Sequence, residues 1–173
     1  LRLKGYDVST IQPQEDPHPE RTQTYHYLPY RFDSRLERDF LAKELLPIIH
    51  DRQLEAYFNG DETLTQFVIN CYQQKGGIWR YAGHYVPDFL LLSRKADGSI
   101  DRVVIIETKG EGFAAKFADR LQFMQTEFIR QNNEKFGYRR FDFLYLEDTL
   151  TAEQRRQKTL QKINDFFNNP TSK

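Results

Sequence analysis

The stretch YVPDFLLLSRKADGSIDRVVIIETKG, residues 85–110, constrains the fold of this chain more than any other segment. Two apolar runs, residues 89–92 and 103–106, flank the pair Asp97-Gly98. Asp and Gly tolerate the positive φ angles that a two-residue hairpin turn needs. Because the two runs are apolar on both faces, the sequence predicts a buried antiparallel hairpin covered by other elements.

The turn also predicts which residues of the hairpin face each other. If Ala96 lies opposite Ser99, the apolar residues of the two strands pair without a mismatch. The same register places Arg94 opposite Asp101, which is a favourable cross-strand charge pair. The register is therefore a specific prediction about the position of every side chain in the hairpin.

Three charged residues come together at the far end of this hairpin. The register places Asp88 opposite Glu107, and Lys109 emerges on the same face two residues later. Two adjacent carboxylates are costly unless a positive charge lies between them, and Mg²⁺ is typically held by one or two carboxylates with waters and phosphate oxygens. The Thr108 carbonyl can supply a further oxygen. The alternative is a salt-bridged rim of the core, in which Lys109 pairs with Glu107 and Asp88 is solvated.

Apolar periodicity predicts an α/β sandwich around a small mixed sheet for the rest of the chain. The predicted helices cover residues 34–47, 62–72, 113–128 and 151–167, and the predicted strands cover residues 78–81, 85–92, 102–109 and 141–146. Ser34 is the expected N-cap of the first helix. Gly76-Gly77 is expected to end the second helix, and the AGH sequence at residues 82–84 is expected to form a turn between strands.

Composition favours a single domain with an extended N-terminal segment. Residues 1–29 contain four of the seven prolines and show no periodicity, which predicts a linker or arm before a domain at residues 30–173. The chain starts at Leu1, as expected for a piece of something longer, although processing or trimming would give the same start. No stretch has the length of a membrane span or the core of a signal peptide, so we expect a soluble, cytoplasmic protein without a membrane partner.

Nucleic-acid binding, if present, has to be local, because 25 Lys and Arg balance 25 Asp and Glu. Lys116 and Arg120 lie four residues apart on a predicted helix and can reach a DNA backbone, although a solvated helix face explains them equally well. Trp79 and Tyr81 alternate with Arg80 on a predicted strand. We expect these two aromatic residues in the core, with a lesser possibility that they stack on bases.

Pro87-Asp88 followed by Glu107-Thr108-Lys109 resembles the signature of the PD-(D/E)xK nuclease superfamily. The resemblance implies a restriction-endonuclease-like sandwich and a DNA endonuclease that uses Mg²⁺, for which Mn²⁺ can substitute. In this family pattern Asp88, Glu107 and Thr108 hold the metal ion and Lys109 positions the attacking water.

Helix residue Glu37, in DSRLERDFL, resembles the accessory acidic residue that lies upstream of this motif. Ser34 and Glu37 also form a capping-box pattern, in which the Glu37 carboxylate folds back onto the backbone of the helix start. Both interpretations stay open from the sequence alone.

The pattern YVPDFLLL, then VVIIETKG, then a helix is similar to the C-terminal endonuclease domain of type III restriction enzyme restriction subunits. This similarity implies a longer chain with a helicase-like motor and a methyltransferase subunit as partner. Two other functions remain open: a DNA repair or end-processing nuclease of the same superfamily, and a catalytically silent nuclease-like module that binds DNA.

Overall fold

The computed structural model of this chain describes residues 2–3, 6–7, 34–60, 67–109 and 114–168. Its strands are β1 (Arg2–Leu3), β2 (Tyr6–Asp7), β3 (Glu55–Phe58), β4 (Ile69–Lys75), β5 (Ile78–Tyr85), β6 (Phe89–Arg94), β7 (Ile100–Lys109) and β8 (Phe141–Glu147). The central sheet has the order β3-β6-β7-β8, in which β7 and β8 are parallel and the other neighbours are antiparallel. The pairs β1–β2 and β4–β5 form separate two-stranded sheets. Apart from β1 and β2, the predicted N-terminal arm lies outside the described residues.

Three helical segments pack against this sheet. The first comprises α1 (Arg35–Asp39), a π-helical segment (Phe40–Leu45) and α2 (Leu46–Ile49); the second comprises α3 (Ala114–Phe123), a π-helical segment (Met124–Phe128) and α4 (Ile129–Phe136); the third is α5 (Ala152–Phe167). None of the helices in the described part of the chain combines the length and the apolar character needed to cross a membrane.

Apolar side chains cover both faces of the central sheet, because successive residues of β6 and β7 alternate between two cores. Phe89, Leu91, Val104 and Ile106 belong to the core that includes residues of α1–α2 and α5. Val103 and Ile105 belong to the core on the other side, together with residues of β4, β5 and α3. The expectation of a mixed α/β fold around a small mixed sheet is therefore confirmed.

The hairpin register is confirmed along the buried strands but not beside the turn. Phe89 pairs with Ile106 and Leu92 with Val103, as the apolar matching predicts. The turn differs, because the Gly98 N–H bonds to the Lys95 carbonyl. A register shift between Ser93 and Arg94 compensates for the different turn, so residues 89–93 keep the predicted pairing. A register that buries apolar residues on both faces is strongly favoured.

The predicted pairing of Arg94 with Asp101 is consequently wrong. Arg94 lies opposite Ile100 because of the register shift. Its guanidinium reaches across to the neighbouring strand β3, where Nε and Nη2 donate to the two Glu55 carboxylate oxygens at 2.7 and 2.9 Å.

The helix predicted at residues 62–72 is also wrong where the structure describes it. Residues 69–75 form β4, in which Ile69 and Cys71 are buried while Asn70 and Tyr72 are exposed, an alternation with the period of a strand. Gly76-Gly77, with φ angles of 59° and 79°, forms the hairpin turn into β5 instead of ending a helix.

The predicted AGH turn lies inside β5. Gly83 has a φ of 113°, and the β4–β5 register shifts so that Cys71 pairs with Gly83 and Tyr72 with Tyr81. The glycine therefore accommodates a bulge, which bends a strand without ending it.

The other predicted helices and strands are confirmed with different ends. Ser34 caps α1, and Pro47 lies in the first turn of α2, where a proline without an N–H is tolerated, so the helical segment continues to Ile49. The second helical segment extends past the predicted residue 128 to Phe136. It ends at Gly137 in the left-handed conformation.

Candidate functional site

The predicted charged residues meet at one end of the central sheet. Glu107, Thr108 and Lys109 are the last residues of β7, and Asp88 comes directly before β6. The Asp88 carboxylate accepts hydrogen bonds at Oδ2 from the Thr108 backbone N–H at 2.7 Å and from the Thr108 hydroxyl at 2.8 Å. Asp88 is thus fixed beside Glu107 even though it lies outside the strand.

Glu107 is fully buried, with an exposed fraction of 0%. The Tyr85 hydroxyl donates to its Oε2 at 2.8 Å, and the Lys109 Nζ lies 2.7 Å from its Oε1 as an ion pair. Among the described residues, no donor meets Oε1 at a hydrogen-bonding angle. Glu107 is therefore an interior carboxylate: Lys109 pairs with it as in the salt-bridged alternative, but Asp88 is buried and not solvated.

An aromatic wall lies behind the ion pair. The Lys109 Nζ is 5.2 Å from the centroid of the Phe117 ring. That ring packs edge-on against Tyr85 at 5.1 Å and is stacked with Tyr145 at 5.9 Å. The wall limits the directions in which the ammonium can move and keeps Tyr85 in contact with the site.

Burial and mutual repulsion perturb the site's acid–base properties. Burial, followed by the Glu107 charge, raises the pKa of Asp88 well above its usual range, although the Thr108 hydrogen bonds oppose this. Burial also raises the pKa of Glu107, against the opposing effect of Lys109. Burial lowers the pKa of Lys109, but Glu107 and then Asp88 raise it more, so its net shift is upward. The site holds two acidic groups that disfavour each other and one ammonium that stays charged.

The proline of the Pro87-Asp88 pair alters the backbone pairing of Thr108. The backbone N–H and C=O groups of successive residues in a strand point alternately to its two neighbouring strands. The Lys109 carbonyl accepts from the Asp148 N–H just beyond β8, so the backbone groups of Thr108 point toward β6. Continuing the β6–β7 register places Pro87 opposite Thr108, and a proline has no N–H to donate to the Thr108 carbonyl. The Thr108 carbonyl therefore receives no ladder hydrogen bond from position 87, and its role as a metal ligand stays a prediction.

Asn59 holds the Pro87-Asp88 segment in place. Its backbone N–H donates to the Asp88 carbonyl at 2.7 Å, and its side-chain amide donates to the Pro87 carbonyl at 2.9 Å. The same amide nitrogen lies 3.2 Å from the Phe67 carbonyl. Neither Asn59 nor Tyr85 was expected at the site, because the sequence gives no signal that distinguishes them from loop and core residues.

Glu37 participates both in the helix cap and in the electrostatics of the site. Its backbone N–H donates to the Ser34 hydroxyl at 3.1 Å, and that hydroxyl donates to its carboxylate at 2.8 Å. Its negative charge is also among the causes that raise the pKa of Asp88, after burial and Glu107. A capping role for Glu37 is thus compatible with a place near the carboxylates.

The predicted DNA contacts, Lys116 and Arg120, both lie on α3. Lys116 is in α3, and its side chain is outside the described part of the structure. Arg120 packs against β5, where a Cβ at Gly83 would lie 3.1 Å from its Nη2. Trp79 and Tyr81, expected in the core, are instead 45% and 58% exposed on β5, which corrects that expectation.

Within the described ranges, no three His, Cys, Asp or Glu side chains form a ready metal-binding cluster. The site offers two carboxylates and a backbone carbonyl, a set suited to a cation that keeps several waters or takes oxygens from a substrate. Comparison with protein-family models, curated proteins and solved structures found no match to this chain.

Proposed function

We propose that this chain is a Mg²⁺-dependent DNA endonuclease domain with a restriction-endonuclease-like fold. The observation that carries the proposal is the buried pair of carboxylates, Asp88 and Glu107, beside the Lys109 ammonium. A fold gains little stability from two interior acids with raised pKa values, whereas functional sites commonly contain such groups.

The oxygens at this site fit a divalent cation. Oε1 of Glu107 is buried with the Lys109 ammonium 2.7 Å away, and continuing the β6–β7 register places a proline opposite the Thr108 carbonyl. Asp88 and Glu107 would hold Mg²⁺ or Mn²⁺ together with this carbonyl. When bound, the metal ion lowers the pKa of a water and neutralises charge on a phosphate.

The reaction proposed is hydrolysis of a phosphodiester. The water oxygen forms a new bond to phosphorus, one phosphorus–oxygen ester bond breaks, and a proton from the water ends on the leaving alkoxide. Lys109 orients the water and stabilises the extra negative charge on the phosphate oxygens. Its raised pKa suits this role because the ammonium remains protonated near neutral pH. Glu37 assists through its charge, acting on Asp88.

The sequence of β6 and β7 also supports a proposed place for this domain within a larger, multi-subunit enzyme. The similarity of the β6–β7 sequence to type III restriction subunits suggests a helicase-like motor in the same chain and a methyltransferase subunit as partner. Tethering to such a motor would raise the effective concentration of the nuclease on DNA that the motor has already engaged. Lys116 and Arg120 are proposed as local contacts to the DNA backbone.

A nicking assay on supercoiled plasmid tests the proposal. Asp88→Asn, Glu107→Gln and Lys109→Ala are each expected to lower Mg²⁺-dependent cleavage by at least about a hundredfold, the order of loss seen when one group that stabilises a transition state is removed. Glu147→Gln is the matched control, because Glu147 is exposed at the end of the neighbouring strand β8. Thermal melting of each variant checks that it is folded. Parent-like cleavage by a folded Glu107→Gln variant would refute the assignment.

A further inference from the structure

The β4–β5 hairpin exposes three aromatic side chains on one face. Tyr72 pairs with Tyr81 and Gln74 with Trp79, so these residues share a face of the hairpin. Tyr72, Trp79 and Tyr81 are 41%, 45% and 58% exposed, and the Tyr72 and Tyr81 rings meet edge-on at 5.8 Å. Contiguous exposed aromatic surface of this kind commonly marks a binding site.

Two of these aromatic residues, Tyr72 and Trp79, border a groove of about 730 Å³ between the hairpin and the second helical segment. Tyr72 and Trp79 line one wall, while Gln131, Asn132 and Lys135 line the α4 wall. An aromatic wall that faces amides and a lysine can contact both the flat face of a ring and its polar edges.

The charge of this surface favours an anionic partner. Residues 67–87 contain no Asp or Glu but include Lys75 and Arg80, although the charges of the whole chain balance. On the facing helical segment, Glu127 and Glu134 are both paired with Arg130, at 2.8 and 3.0 Å. Lys135 is the charged residue among the described residues that line the groove, so the groove combines aromatic rings with a positive charge.

The hairpin also leads directly into the candidate site. Tyr85, the last residue of β5, donates to the buried Glu107 carboxylate. Trp79 lies six residues earlier on the same strand, about 20 Å away along an extended backbone. The end of the hairpin that follows the aromatic residues therefore lies at the candidate site.

We propose that the exposed face of the β4–β5 hairpin binds a single strand of DNA by stacking its bases on Tyr81 and Trp79. This inference rests on the proposed nuclease function and specifies the substrate as DNA with an unpaired segment beside the scissile phosphate. Unpaired bases present their flat faces to aromatic side chains, whereas the bases of a duplex stack on one another. Lys135 lines the groove and attracts the phosphates, while Lys75 and Arg80, on the opposite face of the hairpin, add positive charge at longer range, so binding weakens as salt rises.

Trp79 is the only tryptophan, so its fluorescence reports on this surface directly. The whole chain is titrated with a short oligothymidylate in chelator, where metal-dependent cleavage does not occur. Stacking is expected to quench the fluorescence, and a duplex of equal length is expected to bind at least about tenfold more weakly. No quenching, or equal affinity for the duplex, would overturn the proposal.

Substitutions at Tyr81 separate stacking from charge. Tyr81→Ala is expected to weaken oligothymidylate binding by about tenfold, whereas Tyr81→Phe keeps the ring and the affinity. Lys158→Ala, an exposed change on α5, is the control for general electrostatic effects. Unchanged affinity of Tyr81→Ala, or tighter binding of oligouridylate, would contradict the assignment to DNA bases. Self-association of the protein that shields Trp79, detected by sedimentation, would assign the face to a second copy instead.

The outcomes also distinguish this inference from the nuclease proposal. Binding without any cleavage by the parent would refute only the nuclease function. Plasmid cleavage without oligothymidylate binding would refute only the role of the hairpin.

Discussion

Glu107 and Lys109 form an ion pair whose members are not equally replaceable. The Glu107 side chain is 0% exposed, whereas the Lys109 side chain is 30% exposed. Removing the lysine leaves a carboxylate inside the core, but removing the carboxylate lets the long lysine side chain turn toward water. We therefore expect Lys109→Met to lower the free energy of unfolding by about 3 kcal/mol, the usual cost of leaving one member of a buried pair without its partner.

Glu107→Gln is expected to stay within about 1 kcal/mol of the parent. Glutamine has nearly the same shape, can still accept the Tyr85 hydrogen bond, and relieves the repulsion that contributes to the raised pKa of Asp88. The double variant Glu107→Gln, Lys109→Met is expected to recover most of the loss, because no uncompensated charge remains at position 107. The coupling energy between the two positions is then about 2 kcal/mol.

Urea unfolding in metal-free buffer measures these differences, with far-UV circular dichroism as the signal and the m-value as the check on cooperativity. Lys158→Met on the exposed face of α5 is the matched control and is expected to change stability by less than about 0.5 kcal/mol. Equal stability of Lys109→Met and Glu107→Gln would show that Glu107 is compensated by something other than the ammonium. The reasoning about the site would then be wrong.

Three further predictions concern the hydroxyl at the site, a buried pair in the fold and the choice of metal ion. Tyr85→Phe removes the hydroxyl that donates to the buried Glu107 carboxylate and is expected to lower the apparent Mg²⁺ affinity in the nicking assay by about tenfold or more. The control is Tyr57→Phe, which loses a hydrogen bond to Glu55 and is expected to cleave like the parent. Glu44→Gln breaks a buried ion pair with Arg155 and is expected to lower the free energy of unfolding in urea by about 3 kcal/mol. Lys43→Ala breaks an exposed pair and is expected to lower it by less than about 0.5 kcal/mol. Equal losses would contradict the importance of burial. Ca²⁺ is expected to compete with Mg²⁺ for the site and to inhibit nicking, because its larger and looser coordination shell holds water and phosphate less strictly. Efficient cleavage in Ca²⁺ alone would contradict this prediction.

The register of the hairpin at the site was predictable because the apolar residues of its two strands match in only one way. Apolar matching across β6 and β7 requires one register, and a slip of one residue would exchange the two buried faces. This is why the Phe89–Ile106 pairing holds although the turn at Lys95–Gly98 differs from the two-residue turn that was expected. The bulge beside Ser93 absorbs the difference, and a local pattern could not reveal it.

The β4 sequence carries conflicting signals, and its apolar pattern alone indicates the wrong element. Its apolar residues fit a helical face over a short window, and the alternation of buried Ile69 and Cys71 with exposed Asn70 and Tyr72 exists only because β5 and α3 cover one side. The aromatic and β-branched composition favours a strand, and Gly76-Gly77 favours a tight hairpin turn. Together these signals should have outweighed an amphipathic pattern of fewer than three turns.

The depth of Glu107 could not be predicted, and it is what makes the site chemically distinctive. A strand-end carboxylate usually reaches water, but here the β4–β5 hairpin brings Tyr85 across it and α3 brings Phe117 against Tyr85. Each of these contacts joins segments far apart in the chain, so no local motif contains them. The Pro87-Asp88 pair, by contrast, acts locally.

The backbone N–H and C=O of Thr108 show how the Pro87-Asp88 pair organises the site. A non-proline residue at position 87 could donate its N–H to the Thr108 carbonyl and extend the ladder between β6 and β7 by one more pair. Proline prevents this, while the following Asp88 carboxylate takes the Thr108 N–H at 2.7 Å in place of a ladder carbonyl. The ladder between β6 and β7 therefore stops where the carboxylates begin, because a proline lies opposite the Thr108 carbonyl and a carboxylate takes the Thr108 N–H.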